Sequence, residues 1–392
     1  MKMTRRFFAL LLIIGAPLLL SSARQPGDNG KPSQYFAFVG TYTSKTDSKG
    51  IYSFHFDSGT GRLTAMAVAA TTQDPSFLTV APNEKYLYAV NELGEFDGKK
   101  SGAVASYSLD PKSGQLRQLN QVPSGGADPC YVSFDGTGKY LLVANYSGGS
   151  VSTFPVAPDG HIDPASAFVQ HSGSGPNKER QEGPHAHFIA SSADNRFVFV
   201  VDLGLDEVVV YHFDPATGSL IPDHPPFAKL APGAGPRHLA FHPNGKFAYV
   251  LSEVNSTVTA FAYDAENGSF STLQTLSTLP KNFKGRNDTA EIVVHPSGKF
   301  LYASNRGHDS IAEFTIDPAR GTLTLSGDFS TQGKEPRNFA LDPTGKFLLA
   351  ANQQSNNIVV FRIDQSTGAP TATGQIAQVP APVDIVFVAA AK

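Results

Sequence analysis

One stretch of sequence, written again about every 50 residues, constrains this chain more than any other feature. Its clearest copy is GPRHLAFHPNGKFAYVLSEVNSTVTAFAYD, from Gly235 to Asp264. A short apolar run, Leu239 to Phe241, ends at the turn His242-Pro-Asn-Gly-Lys246. The run Phe247 to Leu251 follows, then a polar loop and an alternating run, Thr257 to Tyr263. Such runs, punctuated by turn residues, read as short strands. Further copies stand at Pro129 to Tyr146, Thr289 to Arg306 and Pro336 to Gln353. The basic residue after each turn anchors the register: Lys85, Lys139, Arg196, Lys246, Lys299 and Lys346, spaced by 47 to 57 residues. A seventh unit is divided between the ends, with its later strands at Tyr35 to Phe56 and its first strand at Pro382 to Val388. Four short strands per unit at this period predict an all-β fold, a seven-bladed β-propeller with four-stranded blades, its first blade closed by strands from both termini. A solenoid would carry caps at its ends instead of a split repeat.

A second signature follows the third strand of each unit. Leu109-Asp-Pro-Lys-Ser-Gly114 recurs as Phe213-Asp-Pro-Ala-Thr-Gly218, Tyr263-Asp-Ala-Glu-Asn-Gly268, Ile316-Asp-Pro-Ala-Arg-Gly321 and Ile363-Asp-Gln-Ser-Thr-Gly368. Asp bonds back to the turn backbone and Gly takes positive φ, so these residues are structural. His242 and His295 fall inside the other turn motif and are expected to face solvent or cap it. The single Cys excludes a disulfide within the chain. A net charge of −3 gives no sign of a nucleic-acid partner.

The first residues read as a targeting segment. Lys2, Arg5 and Arg6 precede the apolar stretch Phe7 to Leu20, and Ser21-Ser-Ala23 offers small residues for cleavage. The stretch is short for a membrane span. The domain expectation is therefore a signal peptide over 1–23, a disordered lead-in over 24–34 and one propeller over 35–392. The mature protein is expected to be periplasmic or secreted, free of the membrane after cleavage, and monomeric. Three long irregular stretches, Glu92 to Gly102, Gln170 to Gly183 and Pro280 to Asp288, are candidates for a rim around the channel.

The register also points to the channel. Nine residues before each anchor stand Ser76, Cys130, His187, Arg237, Ala290 and Arg337; seven after stand Glu92, Tyr146, Leu203, Glu253, Arg306 and Gln353. Positions that vary this sharply inside a rigid repeat do not serve the repeat. If both sets ring one mouth, they make a pocket of one histidine, several arginines and two carboxylates. Glu182-Gly-Pro-His-Ala-His187 would place two imidazoles on one face of an extended segment. His-x-His also has metal-ligand spacing. No third ligand has a compelling position, Glu182 and His308 staying open as candidates, and neither a metal nor a cofactor is expected.

The pieces Phe38-Val-Gly-Thr-Tyr-Thr43, Gly183-Pro-His-Ala-His187, Gly235-Pro-Arg-His-Leu239 and Ser304-Asn-Arg-Gly307 resemble the seven-bladed lactonase propellers. That family includes the bacterial 6-phosphogluconolactonase type and its relative, fungal carboxy-cis,cis-muconate cyclase. The resemblance runs from about Phe38 to Phe387. It implies metal-free ester chemistry on a lactone, with His187, Arg237, Glu253 and Arg306 as catalytic residues. His185, Arg337, Glu182, Glu92 and Tyr146 are expected around a small anionic or sugar-lactone substrate. The expected substrate is 6-phospho-D-glucono-1,5-lactone or a related gluconolactone. The export segment departs from the cytoplasmic enzyme and sets the phosphorylated substrate in question. A non-catalytic ligand- or protein-binding propeller and a muconate-type cycloisomerase are the alternatives. No nucleophile elbow of the Gly-x-Ser-x-Gly type occurs, and Ser172 and Ser174 read as loop surface, so direct water attack is expected. His187 is the first candidate for the base. Glu253 is the second, should apolar surroundings raise its pKa or should it orient His187.

Overall fold

A computed structural model describes residues 33–391. The signal-peptide reading and all of the lead-in except Ser33 and Gln34 lie outside the described residues. Gln34 already belongs to a strand, Gln34–Thr41.

Among the described residues, twenty-eight strands form seven four-stranded antiparallel sheets. Six of the sheets take four consecutive strands each. The seventh, blade 1, takes Gln34–Thr41, Gly50–Asp57 and Arg62–Thr71 from the start of the chain and Pro382–Ala389 from its end. Closure runs through seven register pairs, from Tyr35 with Ala389 to Thr41 with Pro382. The first strand of each blade lies innermost. These are Leu78–Val80, Pro129–Phe134, Ala186–Ser191, Pro236–Phe241, Asp288–Val294 and Pro336–Leu341 in blades 2 to 7, with Pro382–Ala389 in blade 1. Each touches the next, and the last touches the first, around an axial channel.

The core is distributed between the blades. Seven apolar clusters each join two neighbouring sheets; Tyr35, Phe54 and Phe56 of blade 1, for example, pack with Phe347, Leu349 and Val360 of blade 7. Full burial of each such side chain contributes about 1.5–3 kcal/mol. The outer hairpins lock onto the same layers. Gly61 has φ +76°, and a β-carbon there would collide with the Phe347 ring of blade 7. Gly218 of blade 4 sits in the same way on Tyr140 of blade 3. The two repeated signatures, the hairpin glycine and the aromatic residue after the basic anchor, are thus two sides of one contact. His242 and His295 are buried rather than solvent-facing. Each ring joins its own turn to the next blade's, through Nε2 to the carbonyls of Gly298 and Gly345, both at 2.8 Å.

One irregularity of the inner strands prepares the site. Pairing with the second strand skips a residue between Pro129 and Tyr131, Ala186 and Phe188, Pro236 and His238, and Pro336 and Asn338. The skipped residues are Cys130, His187, Arg237 and Arg337. A bulge leaves one residue unpaired and re-aims its side chain. In these four blades the position nine before the anchor is this bulge.

Candidate active site

The residue seven after the anchor follows the end of the second strand. Its amide is tied to the chain just ahead of the inner strand: the Glu253 N–H donates to Gly235 O at 2.7 Å, and the Tyr146 N–H to Asp128 O at 2.8 Å. Both variable positions therefore meet at one mouth of the channel. They enclose a cavity of about 330 Å³, lined by Glu92, Cys130, Tyr146, His187, Glu253, Arg306 and Arg337, together with Arg180, Arg286, Asp288 and Glu335.

The cavity has two charge poles. At one, Glu253 holds three guanidinium groups. Arg180 Nη2 donates to Oε1 in a very short contact, Arg306 Nη2 lies 2.9 Å from Oε2, and Arg237 Nε lies 3.1 Å from Oε2 without hydrogen-bond alignment. Burial alone would push the Glu253 carboxyl upward; Arg306, Arg237 and Arg180 overcome it and hold it at about 2. Glu253 is therefore an anion at neutral pH, and its surroundings lower its pKa where the base role would need it raised. No contact joins it to His187 among those resolved, so the orienting role expected for it finds no support. At the other pole, Tyr42 Oη donates to both Glu92 oxygens, at 2.9 and 2.8 Å, and the Arg337 guanidinium lies 5.2 Å from the Tyr42 ring centre. Burial opposes the Arg337 charge, but Tyr42, Glu92 and Glu253 keep it firmly protonated. Among the described residues, no carboxylate comes within ion-pair distance of Arg337.

His187 is buried between these poles. Its Nδ1 lies 3.6 Å from Cys130 Sγ, and its ring stands edge-on to Tyr146 with centres 5.4 Å apart. Burial, then the fields of Arg237, His238 and Arg337, drive its pKa well below 6.5, so the imidazole is neutral at neutral pH. Burial pushes the Cys130 thiol up, which keeps it protonated.

Other expected residues fall elsewhere. Arg237 is not on the cavity wall; it is only 4% exposed and stands behind Glu253. His185 also stays off the wall, stacked on Tyr146 at 4.5 Å, and its Nε2 pairs at 3.2 Å with the largely exposed Glu182. Ser76, Ala290, Leu203 and Gln353 do not line the cavity. Among the described residues, no group of three or more potential ligands is arranged to hold a metal.

Five contributors escaped the sequence reading, Glu335 on the cavity wall among them. Arg180, Arg286 and Asp288 lie on two of the irregular stretches flagged as a rim. Arg180 bridges them, reaching Glu253 and lying 3.6 Å from Asp288. Tyr42 follows the second strand of blade 1, so it is that blade's counterpart of Glu92 and Glu253, and the register would have found it. The position eight before the anchor was also unread. It carries Phe77, Tyr131 and Phe188 in blades 2 to 4, then His238, Glu291 and Asn338 in blades 5 to 7, and Asp384 holds the equivalent place in blade 1. These residues form a lower tier, half aromatic and half polar.

Comparison with known proteins agrees with this architecture. Residues 36–387 match the family described as Lactonase, 7-bladed beta-propeller. The chain is 38% identical to a 6-phosphogluconolactonase of Bacillus subtilis over 310 residues, covering 79% of this chain and 86% of that one. It is also 38% identical to a 6-phosphogluconolactonase of Formosa agariphila, over 78% of this chain and 86% of the relative. Among solved structures, the periplasmic gluconolactonase of Pseudomonas aeruginosa superimposes with a TM-score of 0.86 at 38% identity, over 92% of this chain and 100% of that one.

Proposed function

Because the chain belongs to the family of seven-bladed β-propeller lactonases, we propose that it hydrolyses an uncharged sugar-acid lactone of the gluconolactone type by direct water attack. One observation carries this reading: a neutral, buried His187 and an unpaired Arg337 guanidinium line the same cavity. His187 Nδ1 faces Cys130, which leaves Nε2 to take a proton from water. The water oxygen bonds to the lactone carbonyl carbon, and the carbonyl oxygen becomes an oxyanion. Arg337 is free to meet that charge, because an arginine stays protonated and pairs bidentately with oxyanions and carboxylates. The ring C–O bond then breaks, and the proton on His187 passes to the departing alkoxide. Arg180 and Arg306, tethered by Glu253, shape the opposite wall.

The substrate's charge is read from the same wall. Arg180, Arg286, Arg306 and Arg337 are balanced by Glu92, Glu253, Asp288 and Glu335, and no lysine lines the cavity. Arg180, Arg286 and Arg306 already face carboxylates. A dianionic phosphate would have to displace those pairs, whereas a polyol can share their hydrogen bonds. The export segment expected over residues 1–23 and a periplasmic gluconolactonase among the similar structures support a location outside the cytoplasm.

The test is hydrolysis of glucono-1,5-lactone and of its 6-phosphate, each measured against the spontaneous rate, for the wild type and His187→Ala. Faster turnover of the neutral lactone is expected, with a loss of roughly 10²–10⁴-fold in kcat for His187→Ala. Preference for the phosphate overturns the substrate reading. Acceleration of neither lactone overturns the lactonase reading and leaves a binding module.

A further inference from the structure

The lower tier offers its own control. One position, eight residues before the anchor, is filled by Phe77 and Phe188 in blades 2 and 4 and by His238, Glu291 and Asn338 in blades 5 to 7. The fold therefore accepts apolar rings at this depth. The polar half needs another reason, because a buried ionic network is weak ground for stability and apolar replacements of one are often neutral.

The contacts supply the reason. Glu291 Oε1 lies 3.1 Å from His238 Nδ1 and accepts the Ile292 N–H at 3.0 Å; Oε2 accepts from Asn338 Nδ2 at 2.9 Å. The carboxylate is only an acceptor, so His238 carries its proton on Nδ1. Its Nε2 is then an acceptor, and Arg237 Nη1 lies 3.1 Å away. Arg237 Nη1 also donates to Ala290 O, while its Nε faces Glu253. Hydrogen-bond contacts thus link Asn338, Glu291, His238 and Arg237, and an ion pair joins Arg237 to Glu253. The His238 ring also stands 5.2 Å from the His187 ring, at 67°. Burial lowers the His238 pKa to about 4, so the imidazole is neutral and this proton arrangement persists at neutral pH.

We infer that His238 and Glu291 are positioning residues, which fix Arg237 and the His187 imidazole beneath the cavity so that base and Glu253 cluster keep their mutual geometry. Neither touches the reacting atoms. The inference builds on the lactonase reading for its kinetic test.

Three variants decide it: His238→Phe, which keeps an aromatic ring as in blades 2 and 4; His238→Asn, whose amide can still donate to Glu291; and Glu291→Gln, which keeps the shape. The expected result for His238→Phe is a fall in kcat of at least about 10-fold with KM within about threefold, the pattern of an interaction that matters in the transition state. His238→Asn should recover most of that loss, and Glu291→Gln should share it. A folded His238→Phe with wild-type kcat overturns the inference, as does a His238→Asn no better than His238→Phe. The imidazole nitrogen resonances of His187 give a readout independent of turnover. They should move in His238→Phe and in Glu291→Gln. Unmoved resonances sink the positioning role even if the protein hydrolyses no lactone, whereas wild-type inactivity with moved resonances counts only against the lactonase reading.

Discussion

Two carboxyls in this molecule share a pKa of about 2 for opposite reasons. Asp364, in an outer hairpin, is held down by the Ser366 hydroxyl and by the N–H groups of Thr367 and Ser366, in full contact with water. Glu253, at the channel mouth, is buried and is held down by Arg306, Arg237 and Arg180 against the cost of its own burial. The first effect is local and is repeated in form by Asp110, Asp214 and Asp264. The second is collective and occurs in one place. A third carboxyl completes the comparison: Glu313, packed between blades and 1% exposed, has no ion-pair partner among the described residues, and burial raises it to about 7. Acidity here follows the company a carboxyl keeps, and among the described residues three cations gather on one carboxylate at the mouth.

The largest effect is expected from an element that serves rim and mouth together. Deleting residues 382–391 removes the inner strand of blade 1, and calorimetry should show loss of cooperative unfolding. Retained cooperative melting would mean that the ring closes without it. Glu253→Gln comes next. It strands three guanidinium groups and should cost about 3–5 kcal/mol in denaturant unfolding. Its kcat should fall less than that of His187→Ala; an equal or greater fall would restore Glu253 as the base.

Gly61→Ala is the structural counterpart. It forces a β-carbon into Phe347 at a positive φ, so about 1–3 kcal/mol of stability should go while kcat in the folded fraction stays within twofold. Glu313→Gln should act in the opposite direction. A carboxyl whose folded pKa is raised contributes stability below its unfolded value near 4.5 and loses it as pH rises through 7. The variant should therefore gain about 1 kcal/mol over wild type at pH 8 and nothing at pH 4. An equal gain at both values would show that packing, not charge, was relieved. The smallest effect belongs to Asp364→Asn: a kcat within about twofold, and a melting temperature that moves less than for Gly61→Ala.

The same contrast explains what could be read from residue order. The propeller, its blade count and its split first blade were legible because a hairpin such as Phe213 to Gly218 is written again around the ring. The mouth was legible wherever a site residue occupies a fixed place in the repeat, as His187, Glu253, Arg306 and Arg337 do. Arg180 and Arg286 were not, because loops between blades have no common register. Arg237 shares the repeat position of His187 and Arg337 but stands behind Glu253 rather than on the cavity wall. Strand alternation predicts one facing per residue, and the bulge at Cys130, His187, Arg237 and Arg337 breaks that alternation. His238 and Glu291 were missed for the same reason: neighbours of channel residues should point away, and here they pack below them.

Pairing of Tyr35 with Ala389 has a consequence for biosynthesis. A ribosome makes Gln34–Thr41 among the first strands of the propeller and Pro382–Ala389 last. Until then the growing chain carries an open sheet edge with nothing to cover it, and such edges invite pairing with other chains. Contacts so distant in sequence form slowly. A stop codon ahead of Pro382 would therefore yield not a slightly shortened enzyme but an unlocked ring with a sticky flank, and quality control would meet it as a misfolded protein.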